Sequence, residues 1–148
     1  MRAFTMVELV FVIVILGILA AVAVPRLAAS RDDAMLAKGK ADISAIRSSI
    51  ITRRSQTLLE GGIALYPDLT TAGGAGLFDG VLDYPIRAVG ADENGWREGG
   101  EDNTYVFRTE GTDVNFAYDQ ATGIFTCINL NGGENAEKAR SLCNQLTQ

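Results

Sequence analysis

Between Phe4 and Val24 the chain reads FTMVELVFVIVILGILAAVAV, a run of 21 residues in which Glu8 is the one charge and Thr5 the one other polar side chain. As a helix it extends about 31 Å at 1.5 Å per residue, which matches the hydrocarbon core of a bilayer. A chain of 148 residues is too small to shelter on every side a helix that is apolar all round. A secretory signal would have a shorter apolar core behind a basic start, followed by a small-residue cleavage site. The run is therefore expected to be a single membrane span that continues into further helix. Arg2 and the amino terminus on one side compete with Arg26 and Arg31 on the other, so charge bias does not set its orientation.

Glu8 is the residue in this run that asks for an explanation. A carboxylate at the centre of a span costs roughly 2.5–3.5 kcal/mol, and such a residue marks function by default. The local alternative is that Glu8 lies about 6 Å along the helix from Phe4, near enough to the interface to find water.

The segment Phe4-Thr5-Met6-Val7-Glu8-Leu9, the apolar helix after it, Gly17 within that helix, and Pro25 followed by Arg26-Leu27 resemble the type IV pilins and the pseudopilins of type II secretion and DNA-uptake systems. The resemblance covers about the first thirty residues. It implies that a prepilin peptidase cuts between Ala3 and Phe4 and methylates the new amino terminus at Phe4. It also implies that Glu8, the fifth residue after the cut, is needed for assembly. The family usually carries Gly before the cut and a longer basic leader, where this chain has Ala3 and Met1-Arg2-Ala3. In pilin-like filaments the segment corresponding to Gly17–Pro25 loses helicity, which makes these two residues the expected kink.

The physics of Glu8 agrees with that picture. When apolar helices pack into a filament core, Glu8 loses interfacial water and needs a partner. The amine freed at Phe4 of a neighbouring subunit is the cation at that depth. One such pair per subunit would fix a register that aliphatic contacts alone leave free to slide.

Beyond Pro25 the pattern becomes amphipathic: Leu36, Ile43, Ile46, Ile50 and Leu58 recur at helical spacing, with Arg47, Arg53 and Arg54 between them. The helix is expected to reach Leu59 and to stop at Gly61-Gly62. Gly17 and Gly39 should weaken it locally, and Pro25 should bend it. Residues 61–103 are rich in turn signals and read as a loop region, with a short helix or strand at Leu77–Leu82. Strands are expected at Thr104–Thr109, Val114–Tyr118 and Ile124–Asn129, joined by Glu110-Gly111-Thr112 and by Asp119–Gly123, as a three-stranded meander. Its Val114, Phe116 and Tyr118 face should cover the amphipathic half of the helix. A short helix should follow at Glu137–Leu146.

Histidine is absent, which excludes Ser-His-Asp and Cys-His nucleophilic sites and removes the commonest metal ligand. No pair of carboxylates stands out by spacing, so no catalytic residue is assigned and no cofactor is expected. Cys127 and Cys143 without histidine do not make a zinc site. In an exported domain they are expected to oxidise, worth about 3 kcal/mol by the chain-entropy model; the alternative is two reduced thiols, or one buried and one free. The family resemblance implies a bridged carboxyl-terminal loop. Some major pseudopilins order a loop with calcium, and Asp92, Glu93, Asn94, Glu98, Glu101 and Asp102 crowd one segment here. Trp96 and Arg97 stand where an EF-hand places a ligand and its glycine, so a solvated acidic loop is expected and no metal is assigned.

Charge is divided unevenly along the chain. Residues 26–59 hold seven basic residues against three acidic ones, whereas residues 60–148 hold five basic against fourteen acidic. This division suggests that the basic stem of one subunit, through Arg53 and Arg54, lies beside the acidic head of another. The acidity of the head also argues against nucleic acid as its direct ligand.

The sequence thus predicts an α+β, pilin-like fold, with a long amino-terminal helix packed on a small carboxyl-terminal antiparallel sheet. Residues 1–3 are the leader, 4–25 the transmembrane and assembly helix, 26–60 the amphipathic stem and 61–148 the head. The implied function is a structural filament subunit, most simply a pseudopilin. A major pilin and a non-polymerising anchored binding domain in the periplasm are the alternatives. The implied partners are further copies of the chain, the prepilin peptidase, an inner-membrane assembly platform with a cytoplasmic ATPase, and minor pilins or pseudopilins. The implied location is the bacterial inner membrane, with the head in the periplasm.

Overall fold

A computed structural model describes residues 4–63, 65–71, 74–128 and 135–148, with residues 25–29 given by their helical backbone alone. The element order is α1 (Met6–Leu59), β1 (Gly95–Glu98), β2 (Thr104–Thr109), β3 (Thr112–Asp119), β4 (Ile124–Ile128) and α2 (Ala136–Thr147). The layout is α+β. The chain divides into two compact units, one through Ala34 and one from Met35 to Gln148.

The first unit is helix. Its segment Met6–Val24 is long and apolar enough to cross a membrane, and every side chain from Phe4 to Val24 is exposed. The backbone is α-helical through Gly17 and Pro25; the lost helicity that the family resemblance implies belongs to the assembled filament. A run of Leu, Ile, Val and Ala on both sides of Gly17 keeps enough hydrogen-bonded turns to offset one glycine, whose cost is about 1 kcal/mol.

The second unit is built where α1 changes from uniformly apolar to striped. Gly39, Ile43, Ile46 and Ile50 are buried, and their spacing of four, three and four puts them on one face. That face meets the inner side of a four-stranded antiparallel sheet of order β1-β2-β3-β4. Inward alternation places Trp96 opposite Phe107, Phe107 opposite Val114 and Tyr105 opposite Phe116, and Tyr118 opposite Phe125. Phe116 and Phe125 stack with centroids 5.3 Å apart, and Phe78 meets Trp96 edge-on at 5.5 Å. α2 closes the core with Leu142 and Leu146.

The helix end is chemically explicit. Gly61, at φ 78°, donates to the Leu58 carbonyl at 3.2 Å and Gly62 to that of Thr57 at 2.8 Å, the paired bonds of a Schellman cap. The β2–β3 connection is a two-residue turn at Glu110-Gly111, both with positive φ, matching the twist of the strands it joins.

Three expectations need correction. β1 lies inside residues 61–103, which the sequence reads as loop, so the sheet has four strands. Its four residues include one large apolar side chain, Trp96, too few for alternation to register. At Leu77–Leu82 there is neither helix nor strand but a single bridge, Leu77 to Ile86, and a turn that drives Phe78 into the core at φ 64°. Such a backbone is costly for a bulky residue and persists because packing over-determines it; the Thr70 hydroxyl accepts the Phe78 amide at 3.2 Å. Leu58 is exposed, because the buried stripe of α1 ends at Ile50.

Gly39 is a packing notch rather than merely a weak point. A Cβ there would come within 2.7 Å of the Phe107 ring and 2.8 Å of Leu146. Although alanine favours helix by about 1 kcal/mol, Gly39→Ala is expected to lower stability by about 1–3 kcal/mol through overpacking. Thermal unfolding of the detergent-solubilised chain measures this, and an unchanged or raised midpoint contradicts it.

Candidate functional site

The amino-terminal end of α1 holds the residues to which the sequence assigns function. Ala3 lies outside the described residues. Phe4 precedes the helix and is exposed. Thr5 and Glu8 engage each other: Glu8 Oε2 accepts from the Thr5 amide at 3.1 Å and from the Thr5 hydroxyl at 3.0 Å, while Thr5 Oγ1 accepts from the Glu8 amide at 3.2 Å. This is a capping box, in which a threonine at the helix start and a glutamate three residues on satisfy each other's backbone donors. Thr5 thus belongs to the site although it carries no charge, and its T-x-x-E spacing with Glu8 is the signal in the sequence. Both bonds fall on Oε2, and among the described residues none donates to Glu8 Oε1.

Gly17 has no neighbouring atom within 4 Å of where a Cβ would lie. At the other end of the chain Cys127 on β4 and Cys143 on α2 are joined, with Cα atoms 6.1 Å apart. The bond ties the edge of the sheet to the closing helix.

Arg53 and Arg54, expected to meet a neighbouring subunit, are engaged within their own chain, as is Arg47 beside them. Arg47 Nε donates to the Phe125 carbonyl on β4 at 3.1 Å. Arg53 pairs with Asp83 at 2.9 Å. Arg54 lies over the Tyr66 ring, 4.0 Å from its centroid, and donates to its hydroxyl. Asp42 accepts from Trp96 Nε1 at 3.0 Å. Burial pushes the Asp42 carboxyl above its ordinary range, outweighing that hydrogen bond and the nearby Lys38.

On the other side of the sheet Asp113 accepts from Arg97 at 2.7 and 3.2 Å and from Arg108 at 3.0 Å. Partial burial alone would raise the Asp113 carboxyl, but the two guanidinium groups together hold it below its ordinary range. The acidic segment flanks an open hollow of about 510 Å³ lined by Thr70, Thr71 and residues 98–105. Among the described residues no group of three or more Asp, Glu, His or Cys side chains is placed to hold a metal ion.

The sign of the Asp113 effect follows from its depressed value. Its contribution to stability is present above the unfolded carboxylate value, about 3.9, and is lost as pH falls through the lower folded value. Asp113→Asn is expected to destabilise the head by about 1–2 kcal/mol at pH 7, the magnitude of charge-assisted bonds discounted for partial exposure. The gap between variant and parent should narrow in acid, as followed by urea unfolding at pH 7 and pH 3; an equal gap at both contradicts the assignment.

Comparison of the chain with protein-family models, with curated proteins and with solved structures gave no match.

Proposed function

We propose that the chain is a structural subunit of a type IV pilus-like filament, held in the bacterial inner membrane by its apolar helix and polymerised through it. The observation that carries this reading is one carboxylate, Glu8, at the start of a helix whose side chains are otherwise apolar and exposed from Met6 to Val24. In lipid such a helix is an anchor. When helices gather into a bundle, apolar surface passes from lipid to protein at little cost, and the carboxylate is the group that must be matched.

Prepilin peptidase cleavage between Ala3 and Phe4 supplies the match, because it leaves an α-amine at Phe4, four residues before Glu8. Glu8 Oε1 accepts from the amine of a neighbouring copy while Oε2 keeps its bonds to Thr5. The assembly platform and its cytoplasmic ATPase drive extraction, and the head folds in the periplasm, where Cys127 and Cys143 oxidise. A pseudopilin of a secretion or DNA-uptake machine fits the small head better than the main subunit of a surface pilus.

The capping box also favours a second reading. A carboxylate already bonded to Thr5 needs no neighbour, and the chain would then be a non-polymerising anchor for a periplasmic binding head. Glu8→Gln separates the two, since glutamine serves in a capping box as glutamate does but carries no charge. For a filament subunit, Glu8→Gln is expected to cut the yield of sheared filaments at least tenfold in the native host. Intact mass of the parent should show loss of Met1-Arg2-Ala3, a methyl group on Phe4 and a two-hydrogen deficit at the cysteines. An uncleaved parent, or wild-type yield from Glu8→Gln, overturns the filament reading.

A further inference from the structure

Ile51, Leu58, Leu59, Ile63 and Leu65 are 64%, 47%, 88%, 80% and 65% exposed. Isolated exposed aliphatics are ordinary, but these five fall within one short stretch. A cluster of exposed aliphatic side chains of this kind commonly marks an interaction site. The Schellman cap gathers them: it ends α1 at Leu58-Leu59 and turns the chain so that Ile63 follows at once, with the Leu65 amide bonded back to the Ile63 carbonyl at 2.8 Å.

The patch continues along one flank of α1. Lys40, Arg47, Ile51, Arg54 and Leu58 recur at spacings of seven, four, three and four, which keeps them on one side of the helix; Arg47 and Arg54 are engaged within the chain, which leaves Lys40 as the exposed cation of that flank. From Met35 to Leu59 the stem carries Lys38, Lys40, Arg47, Arg53 and Arg54 against Asp42 alone, while the remainder of the head is strongly acidic. On that acidic side Glu98, Glu101 and Asp102 are exposed, and none is ion-paired among the described residues.

We infer that the apolar end of α1, with its cationic flank, docks on the acidic face of the head of a second copy, in a head-to-tail contact. The inference rests on the filament reading in naming a second copy as the occupant. The charge division decides which surfaces meet: the cationic flank repels a copy of itself and complements Glu98, Glu101 and Asp102. In a filament whose copies all stand the same way up, that stem-to-head contact repeats head-to-tail and leaves each copy free to take another. Five aliphatic side chains are a small share of the roughly 20–30 residues that each partner contributes to a stable complex. The contact is therefore weak between two free heads and effective once the apolar helices hold the copies side by side, where the local concentration is high.

The test places a photo-crosslinking phenylalanine analogue at Leu59 of the full-length chain in its host membrane. The expected product is a two-copy adduct whose cross-linked peptide maps to the acidic face of the second copy, around Glu98–Asp102. Ile63→Asp is expected to lower it at least fivefold, and Lys40→Glu or about 0.5 M salt, which shortens the Debye length, at least threefold. Both substitutions lie on exposed side chains, and far-ultraviolet circular dichroism of the purified variants checks that the head is folded. No two-copy adduct, an adduct joining residues 58–65 of both copies, or an adduct to a different protein overturns the inference. Processed filaments without the adduct overturn this contact alone. An uncleaved chain that still gives the adduct overturns the filament reading and leaves the contact standing.

Discussion

One face of α1 carries the head. Gly39, Ile43, Ile46 and Ile50 are the buried positions through which the helix meets the aromatic side of the sheet, and each isoleucine taken from water is worth about 1.5–3 kcal/mol. Gly39 lets Phe107 and Leu146 approach the helix backbone, so strand and closing helix converge on one notch. β1 is anchored to the same face through Trp96 and Asp42, and β4 through Arg47 and the Phe125 carbonyl. A four-stranded sheet with one polar face needs such a cover, because its aromatic side would otherwise be open to water.

The parts of this fold that were legible in the sequence are those written in repeated pattern. The apolar run, the isoleucine spacing, the three longer strands and the Gly61-Gly62 stop each repeat a signal or match a known terminus. What escaped depends on single residues. Trp96 is one apolar side chain in a four-residue strand. Phe78 enters the core from a turn with positive φ, a conformation that nothing in Leu77–Leu82 announces. Leu58 continues the apolar spacing, yet the buried stripe stops at Ile50. At the candidate site, the charge of Glu8 stands out in an apolar run, whereas its hydrogen-bonding role depends on one neutral partner, Thr5.

The charge pattern shows how composition can mislead and still inform. The basic stem and acidic head were visible from counts alone, and Arg53 and Arg54 were the natural residues to assign to a neighbour. Tertiary structure spends both at home, on Asp83 and on Tyr66. Their internal engagement links the stem to Asp83 and Tyr66 in the segment after the helix. Cations that a linear reading gives to a neighbouring subunit here tie the stem to its own head.

The indole of Trp96 is the only one in the chain, and it is buried between helix and sheet with its nitrogen bonded to Asp42. The molecule therefore carries its own optical probe at the joint where α1 meets the head. Emission from this single fluorophore reports whether helix and sheet remain in contact, without a label and without interference from a second tryptophan. In membranes, detergent or an assembled state alike, it distinguishes an intact head from one that has parted from its stem.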